Sequence, residues 1–472
     1  MSDVQLQRQA ILAADLKPIS FGGQPNAANL YIPPSHLKAL KLETSVVIGG
    51  RGVGKSFWAA ALSSEGLRSL VGLALPEFKA LQVGIGFSEN SNAQYPDADT
   101  FKSLLSDTQL DTYDIWRAVI VRWVARLLGT PEAVPANDWQ ATITWVQSKP
   151  EAVKDLMLKA RTHKGLIVFD ALDRSSDNWQ TMDNLVRGLL RSLLWLKSFS
   201  GLYGKVFLRE DQAERTVFDF PDASKLKATQ AELTWAKHDL HGLLWQRLIN
   251  APDNHGKILR QLLEQLESHP QYEKNIWMLP EAMKRETSVQ RKAFEQLAGP
   301  WMGKDRRRGV PYVWTVSHLA DCRGLASPRS FLAAMEQAVE DSVERYPEHR
   351  YALHYESIKR GIQEASKIRV DEVAEDYPWV KSVLEALEGL NVPIEFSEIK
   401  ARWQEKFTGG VASIDNQQQL PAQHEKQSWE GVQEDLQRLG MLETKKDNRV
   451  DMPDLYRVGF KLGRKGGIRP VK

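Results

Sequence analysis

The chain has 472 residues, with 62 Lys plus Arg against 60 Asp plus Glu and a formal net charge of +2. At roughly 100–200 residues per domain this length predicts two to four domains, and so even a charge balance excludes a chain-wide polycationic nucleic-acid binder, leaving only a local patch for such contacts. A composition 42% hydrophobic and 26% charged predicts a soluble globular chain with a sizeable core and excludes general disorder.

Residues 1–43 read as an irregular N-terminal arm, turn-rich at Phe21, Gly22, Gly23, Gln24 and Pro25 and again at Pro33 and Pro34. Ser45-Val46-Val47-Ile48 is a short β-branched run that ends in glycines and opens onto the helix-forming stretch 56–62. A second strand is predicted at Leu81–Phe87, then helical periodicity through Trp116, Ile120, Trp123 and Leu127 and on past Trp145. Gly165–Asp170 is apolar until its closing carboxylate, as a strand buried on both faces of a parallel sheet would be. A helix from about Trp179 to Phe199 and a strand at Lys205–Arg209 follow. Strands alternating with helices over 44–235 predict βαβ units around a parallel sheet. From 236 to 369 strand signals nearly vanish and helical spacing takes over, as in Leu240, Leu243, Leu244 and Leu248, which predicts an α-helical lid. Residues 370–472 predict a winged helix-turn-helix. Its helices lie near Trp379–Leu390, Phe396–Phe407 and Trp429–Leu439, a polar loop fills 408–427, and a hairpin turns at Asp447-Asn448.

Gly49-Gly50-Arg51-Gly52-Val53-Gly54-Lys55-Ser56 matches G-x-x-x-x-G-K-[ST], with Phe57 next on the helix. Small residues let backbone N–H groups converge on a β-phosphate, and the helix that follows adds the positive end of its dipole. In this pattern Lys55 bridges β- and γ-phosphates and the Ser56 hydroxyl ligates Mg²⁺. The strand-ending segment Leu166-Ile167-Val168-Phe169-Asp170-Ala171-Leu172-Asp173-Arg174 is the acidic partner such a loop requires. Asp170 stands where a carboxylate holds Mg²⁺ through water, and Asp173 stands where one could polarise the attacking water; the plainer reading is a strand closed by a capping Asp. No N-K-x-D guanine-reading element is present, which favours ATP over GTP.

Together the phosphate loop, the apolar strand ending in D-A-L-D-R and the strand K-V-F-L-R resemble the P-loop ATPases of the STAND and AAA+ groups, and D-A-L-D-R is most similar to the D-D-L-D-R of KAP ATPases. The resemblance spans roughly residues 45–340. It implies a P-loop ATPase core, a helical lid and ATP held between them. It also makes Arg209 a sensor 1 residue reading the γ-phosphate, and Arg329, in Ser327-Pro328-Arg329, a sensor 2 arginine from the lid; a surface arginine and an ordinary helix start are the plainer alternatives. The chain departs from the STAND pattern at Arg174, where a glutamate usually follows the second aspartate, which leaves the catalytic base open. It departs from many KAP proteins in having no apolar run of the roughly 20 residues a bilayer span needs.

Other candidates are weaker. The basic loop Met302–Gly309 fits an arginine finger for a neighbouring subunit, a nucleic-acid contact or a solvated loop. His238 and His241 stand i and i+3 on one predicted helix and read as exposed histidines, since no third ligand stands at metal spacing. The tryptophans fall at helical spacing among aliphatics and read as core anchors. The predicted third helix of the winged module carries Glu430, Glu434 and Asp435 against Arg438, which disfavours major-groove reading. The tail from Met441 holds nine basic residues against four acidic ones, so a wing and tail that touch duplex DNA phosphates stay open beside a protein-contact role. A single cysteine, Cys322, and an N-terminus without a basic stretch before an apolar run predict a cytoplasmic chain without membrane partners.

The expectation is therefore an Mg²⁺-dependent ATP-hydrolysing switch that self-associates and acts on a separately encoded effector protein. On resemblance alone its setting is bacterial defence against phage or mobile DNA. An ATP-dependent DNA-binding initiator or loader is the alternative, and a non-hydrolysing scaffold the third.

Overall fold

A computed structural model describes residues 2–17, 25–106, 110–136, 138–176, 179–213, 215–414 and 428–470. The expected turn at Phe21–Gln24, the polar loop across 415–427 and the terminal Lys472 lie outside the described residues. The chain forms two compact units. One, the sheet unit, comprises Ile19–Ala27 and Ile32–Thr234; the other, the helical unit, comprises Met1–Pro18, Ala28–Tyr31 and Trp235–Lys472.

The sheet unit is built on five parallel strands: β1 (Val46–Ile48), β2 (Gln82–Phe87), β3 (Gly165–Phe169), β4 (Leu202–Leu208) and β5 (Ala231–Glu232), in the spatial order β2-β3-β4-β1-β5. The strand furthest along the chain but one, β4, thus lies between the glycine-loop strand β1 and the carboxylate-ending strand β3. Its register sets Ile48 against Leu208 and Phe169 against Val206. β1 and β3 are buried along their whole length, which accounts for their unbroken apolar sequences. The helix Thr112–Leu127 packs on the sheet with Trp116 at its centre. The Trp116 ring meets Phe169 edge-on at 5.6 Å and Phe101 at 5.0 Å, and its indole N–H donates to the Leu185 carbonyl at 2.9 Å. The glycines of β2 follow from this packing: a Cβ on Gly84 would lie 2.3 Å from Trp123, and one on Gly86 would lie 2.2 Å from the Phe169 ring.

The helical unit is dominated by Lys237–Ile249, Thr287–Ala298, Pro328–Arg345 and Tyr355–Asp376. Toward its C-terminal end Pro378–Glu385, Phe396–Lys406 and Trp429–Arg438 are followed by an antiparallel pair, Glu443–Thr444 with Val450–Asp451, and Ile394 bridges Val450. Two expectations are corrected. The arm read as irregular begins with a helix, Asp3–Ala13, closed by a reciprocal cap between Ser2 and Gln5. It is anchored by the buried Arg8, whose guanidinium donates to the carbonyls of Tyr346, Pro347, Tyr351 and Ala352. The stretch 236–369 also contains a hairpin, Gln271–Glu273 with Ile276–Met278, turned by Lys274 and Asn275 in left-handed conformations. No helix among the described residues is long and apolar enough to cross a membrane.

Candidate nucleotide site

The loop 49–54 runs from the end of β1 into the helix Lys55–Ser63. Gly52 and Gly54 have φ of +75° and +103°, a left-handed conformation that costs glycine little and other residues more. Gly54 is the helix N-cap and offers no side chain to it, so the first-turn amides are open to an anion. The Lys55 ammonium donates to the Gly49 and Gly50 carbonyls at 2.8 and 2.7 Å. Burial pushes it down to about 8, against the pull of Asp170.

Across the intervening β4, Asp170 leaves the end of β3 with its amide donating to the Phe87 carbonyl at 3.0 Å. It is 4% exposed. Burial pushes its carboxyl up to about 6, while a hydrogen bond from Ser56 and the nearby Lys55 ammonium favour the ionised form. A buried carboxylate beside a serine hydroxyl is a hard-oxygen donor pair, which suits Mg²⁺. Ala171 follows at φ +57°, a strained conformation for a residue with a Cβ, and it turns the chain sharply so that Leu172–Arg174 forms a single 3₁₀ turn. Asp173 in that turn lies 3.6 Å from Arg209 Nη1.

Arg209 is the first residue beyond β4. Its guanidinium is gripped by Asp211, Nε to Oδ1 at 3.2 Å and Nη2 to Oδ2 at 2.8 Å, and its amide donates to Gln212 Oε1 at 3.0 Å. Lys55, Ser56, Asp170, Asp173 and Arg209 therefore meet at the ends of β1, β4 and β3. Arg329 belongs to the helical unit, in the first turn of Pro328–Arg345, where Ser327 caps the helix and Glu372 holds the guanidinium at 2.6 Å. Sequence reasoning missed Asp211, which holds the Arg209 guanidinium. The available signal was an acidic residue two positions after a strand-ending arginine.

The remaining candidates resolve individually. Arg306, Arg307 and Arg308 are exposed in a loop closed by Met302 N–H on the Gly309 carbonyl, and Arg307 pairs with Asp305 at 3.0 Å. The reading of both helix histidines as exposed is corrected for His241. It is wholly buried, stacked on Tyr312 at 4.0 Å and bonded through Nε2 to the Tyr312 carbonyl, because its helix is covered by aromatic neighbours. Of the nine basic residues in the tail, five pair with carboxylates of this chain, three of them on exposed surface. Lys445, Arg449 and Lys461 pair with Glu443, Asp447 and Glu388, Arg464 with Asp451, and Arg457, 0% exposed, with Asp454 and the Leu462 and Ile468 carbonyls.

No family profile and no curated protein matches this sequence. In three-dimensional shape the chain is similar to Cdc6p from Pyrobaculum aerophilum, at 12% identity over 87% of this chain and 83% of that one, with a TM-score of 0.29. It is similar to the ORC2 protein of Aeropyrum pernix in its ADPNP–ADP complexes, at 12% identity over 91% and 93% with a TM-score of 0.34. It is also similar to a Walker-type ATPase of Pyrococcus abyssi, at 11% identity over 94% and 97% with a TM-score of 0.39.

Proposed function

We propose that this chain binds and hydrolyses ATP in the manner of a P-loop ATPase and works as a switch. The reading is carried by one observation: an open glycine loop with its lysine, a serine-bonded buried aspartate and an arginine gather at three adjacent strand ends. On binding, Lys55 would exchange the Gly49 and Gly50 carbonyls for β- and γ-phosphate oxygens, and the loop amides would surround the β-phosphate. Ser56 and Asp170 would hold Mg²⁺, which supplies charge neutralisation across the phosphates when bound. Arg209 is positioned by Asp211 to meet negative charge developing on the γ-phosphate. Water attacks in line, and Asp173 is one carboxylate available to orient it.

The finer parts of the reading are self-association on ATP, a separately encoded effector and a setting in defence against phage or mobile DNA. They extend it through the sequence resemblance to STAND and KAP ATPases, as does the sensor role of Arg329. We read residues 370–472 as a winged helix. A DNA-binding initiator remains the second reading, and the observation that bears on it is electrostatic. The outer face of Trp429–Arg438 presents Glu430 and Glu434, which phosphates repel, and five tail cations each face a carboxylate of this chain, which weakens their pull on phosphates.

Phosphate release from Mg·ATP, with and without duplex DNA, tests both. Wild-type turnover should fall on the order of 100-fold in Lys55→Ala, as for loss of one preorganised charge-stabilising donor, and should be indifferent to DNA. Turnover accelerated by DNA would favour the initiator. Equal release by wild type and Lys55→Ala would remove the ATPase reading.

A further inference from the structure

We propose that the basic loop Met302–Gly309 of the helical unit binds the phosphodiester backbone of a nucleic acid without reading its bases; the inference goes beyond the ATPase reading and does not rest on it. The loop carries Lys304, Arg306, Arg307 and Arg308 against Asp305, a net +3 where the whole chain carries +2. Its three arginines are exposed, Arg307 with 85% of its side chain in solvent. Asp305 answers Arg307 at 3.0 Å, and among the described residues no carboxylate lies within ion-pair distance of Lys304, Arg306 or Arg308. Other exposed arginines of this unit are answered from two residues away, Arg323 by Asp321 at 3.0 Å and Arg449 by Asp447 at 2.6 Å. Adjacent unneutralised cations repel one another and cost the folded chain stability, so a loop that keeps three of them is suited to an anion supplied from outside.

The loop is also fixed in shape. Met302, 2% exposed, anchors its start, and the Met302 N–H closes it on the Gly309 carbonyl at 2.9 Å. Asp305 Oδ1 accepts from the Arg307 N–H at 2.9 Å and caps 306–308 as a single 3₁₀ turn. Gly309, at φ +91°, makes room for Trp314, which a Cβ there would approach to 3.2 Å. Trp314 packs on His318 at 4.1 Å, and His318 Nδ1 meets the buried Asp454 at 2.6 Å. Binding therefore has little loop ordering to offset. In a 3₁₀ turn successive side chains stand about 120° apart, so the three arginines fan out and suit separate phosphates along a backbone better than one carboxylate. A guanidinium meets phosphate oxygens bidentately. Protein interfaces centre on buried aromatic or aliphatic anchors, whereas the one apolar side chain of this loop, Met302, is already buried. The loop holds none of the phosphate-loop residues, so binding there is compatible with turnover that is indifferent to DNA.

The test follows the fluorescence anisotropy of a short labelled DNA duplex, and of a labelled RNA strand of equal length, across a salt series with the full chain. A loop variant combining Lys304→Gln, Arg306→Gln and Arg308→Gln is compared with wild type and with a tail variant combining Lys446→Gln and Lys465→Gln, after thermal melts establish that both are folded. Wild type should bind at low salt and more weakly as salt rises, because each phosphate contact releases counterions. For the duplex the loop variant should lose about two to three from the log–log salt slope, at about 0.9 per contact, and about tenfold or more in affinity, while the tail variant keeps its affinity within about threefold. The loop variant should weaken on both probes, and whichever of them wild type binds tighter identifies DNA or RNA as the source of the phosphates. Wild type that binds neither probe at low salt would overturn the proposal and leave the loop merely solvated. A loop variant that binds like wild type would overturn it as well, and a loss confined to the tail variant would move the contact to the tail. Labelled polyglutamate bound more tightly than either nucleic acid, and lost in the loop variant, would overturn it in favour of an acidic protein partner.

Discussion

Trp58, on the phosphate-loop helix, donates its indole N–H to His36 Nδ1 at 3.0 Å, while His36 Nε2 meets the Thr234 carbonyl at 3.1 Å. One ring nitrogen accepts and the other donates, which fixes the neutral tautomer, and burial pushes the ring down to about 4. An unfolded chain takes up this proton near pH 6.5 and the folded one resists to about 4. The stability due to the neutral ring is therefore complete above pH 6.5 and is lost as pH falls toward 4, by about 2 kcal/mol at pH 5. His36→Gln, whose amide can accept from Trp58 and donate to Thr234, should flatten the acid dependence of the melting temperature between pH 7 and 5. An unchanged slope would show that other groups set it. At this scale Lys55, Ser56 and Asp170 were legible because their motif is contiguous and its chemistry local. Asp211 was not: its nearness to a strand-ending arginine was the local signal, but its place beside the glycine loop depends on β4 pairing with β1, which the local sequence does not encode.

Among elements, β2 shows how packing sets composition. Gly86 leaves room for the Phe169 ring, and Phe169 precedes Asp170, whose amide bonds to Phe87. Gly86→Ala should cost about 1–3 kcal/mol in urea unfolding, as overpacking of a core does. It should also raise the Mg²⁺ concentration needed for turnover, by displacing Asp170. A fully active variant of lower stability would separate the two effects. Apolar runs revealed β1 and β3, and the buried face of Thr112–Leu127 followed from its tryptophans. The two-residue β5, Ala231–Glu232, is too short for any alternation to register. The N-terminal helix was signalled by Ser2 and Gln5, but its modest apolar content hid it, and Arg8 is stabilised by carbonyls more than 300 positions away.

For the whole chain, the least legible feature is its division. Ala28–Tyr31 belongs to the helical unit although the residues on both sides belong to the sheet unit. Tyr31 explains the excursion: its hydroxyl lies 3.3 Å from both Asp239 Oδ1 and the Lys284 carbonyl. The C-terminal tail is likewise integral. Arg457 is closed in by Leu462 and Ile468, and Ser366 Oγ donates to the Leu455 carbonyl and accepts from Gly459 N–H. Deleting residues from Lys461 onward should lower the melting temperature by several degrees, because it removes two carbonyl acceptors from the Arg457 guanidinium, each bond to a charged group contributing on the order of 1.5–3 kcal/mol. A truncated chain that melts like the full one would show the tail to be dispensable.

The strand order has a consequence for synthesis. Both neighbours of β1 come late: Val46 waits for Val206, and Val47 for Ala231. A ribosome adding roughly 5–20 residues per second takes about 8–30 s to pass from Val46 to Val206, and throughout that time the glycine loop has no neighbouring strand to hold it. On the ATPase reading, nucleotide therefore cannot stabilise the nascent chain by mass action until β4 has emerged. During that interval Val46–Ile48 is an unpaired apolar strand, the kind of segment that chaperones cover.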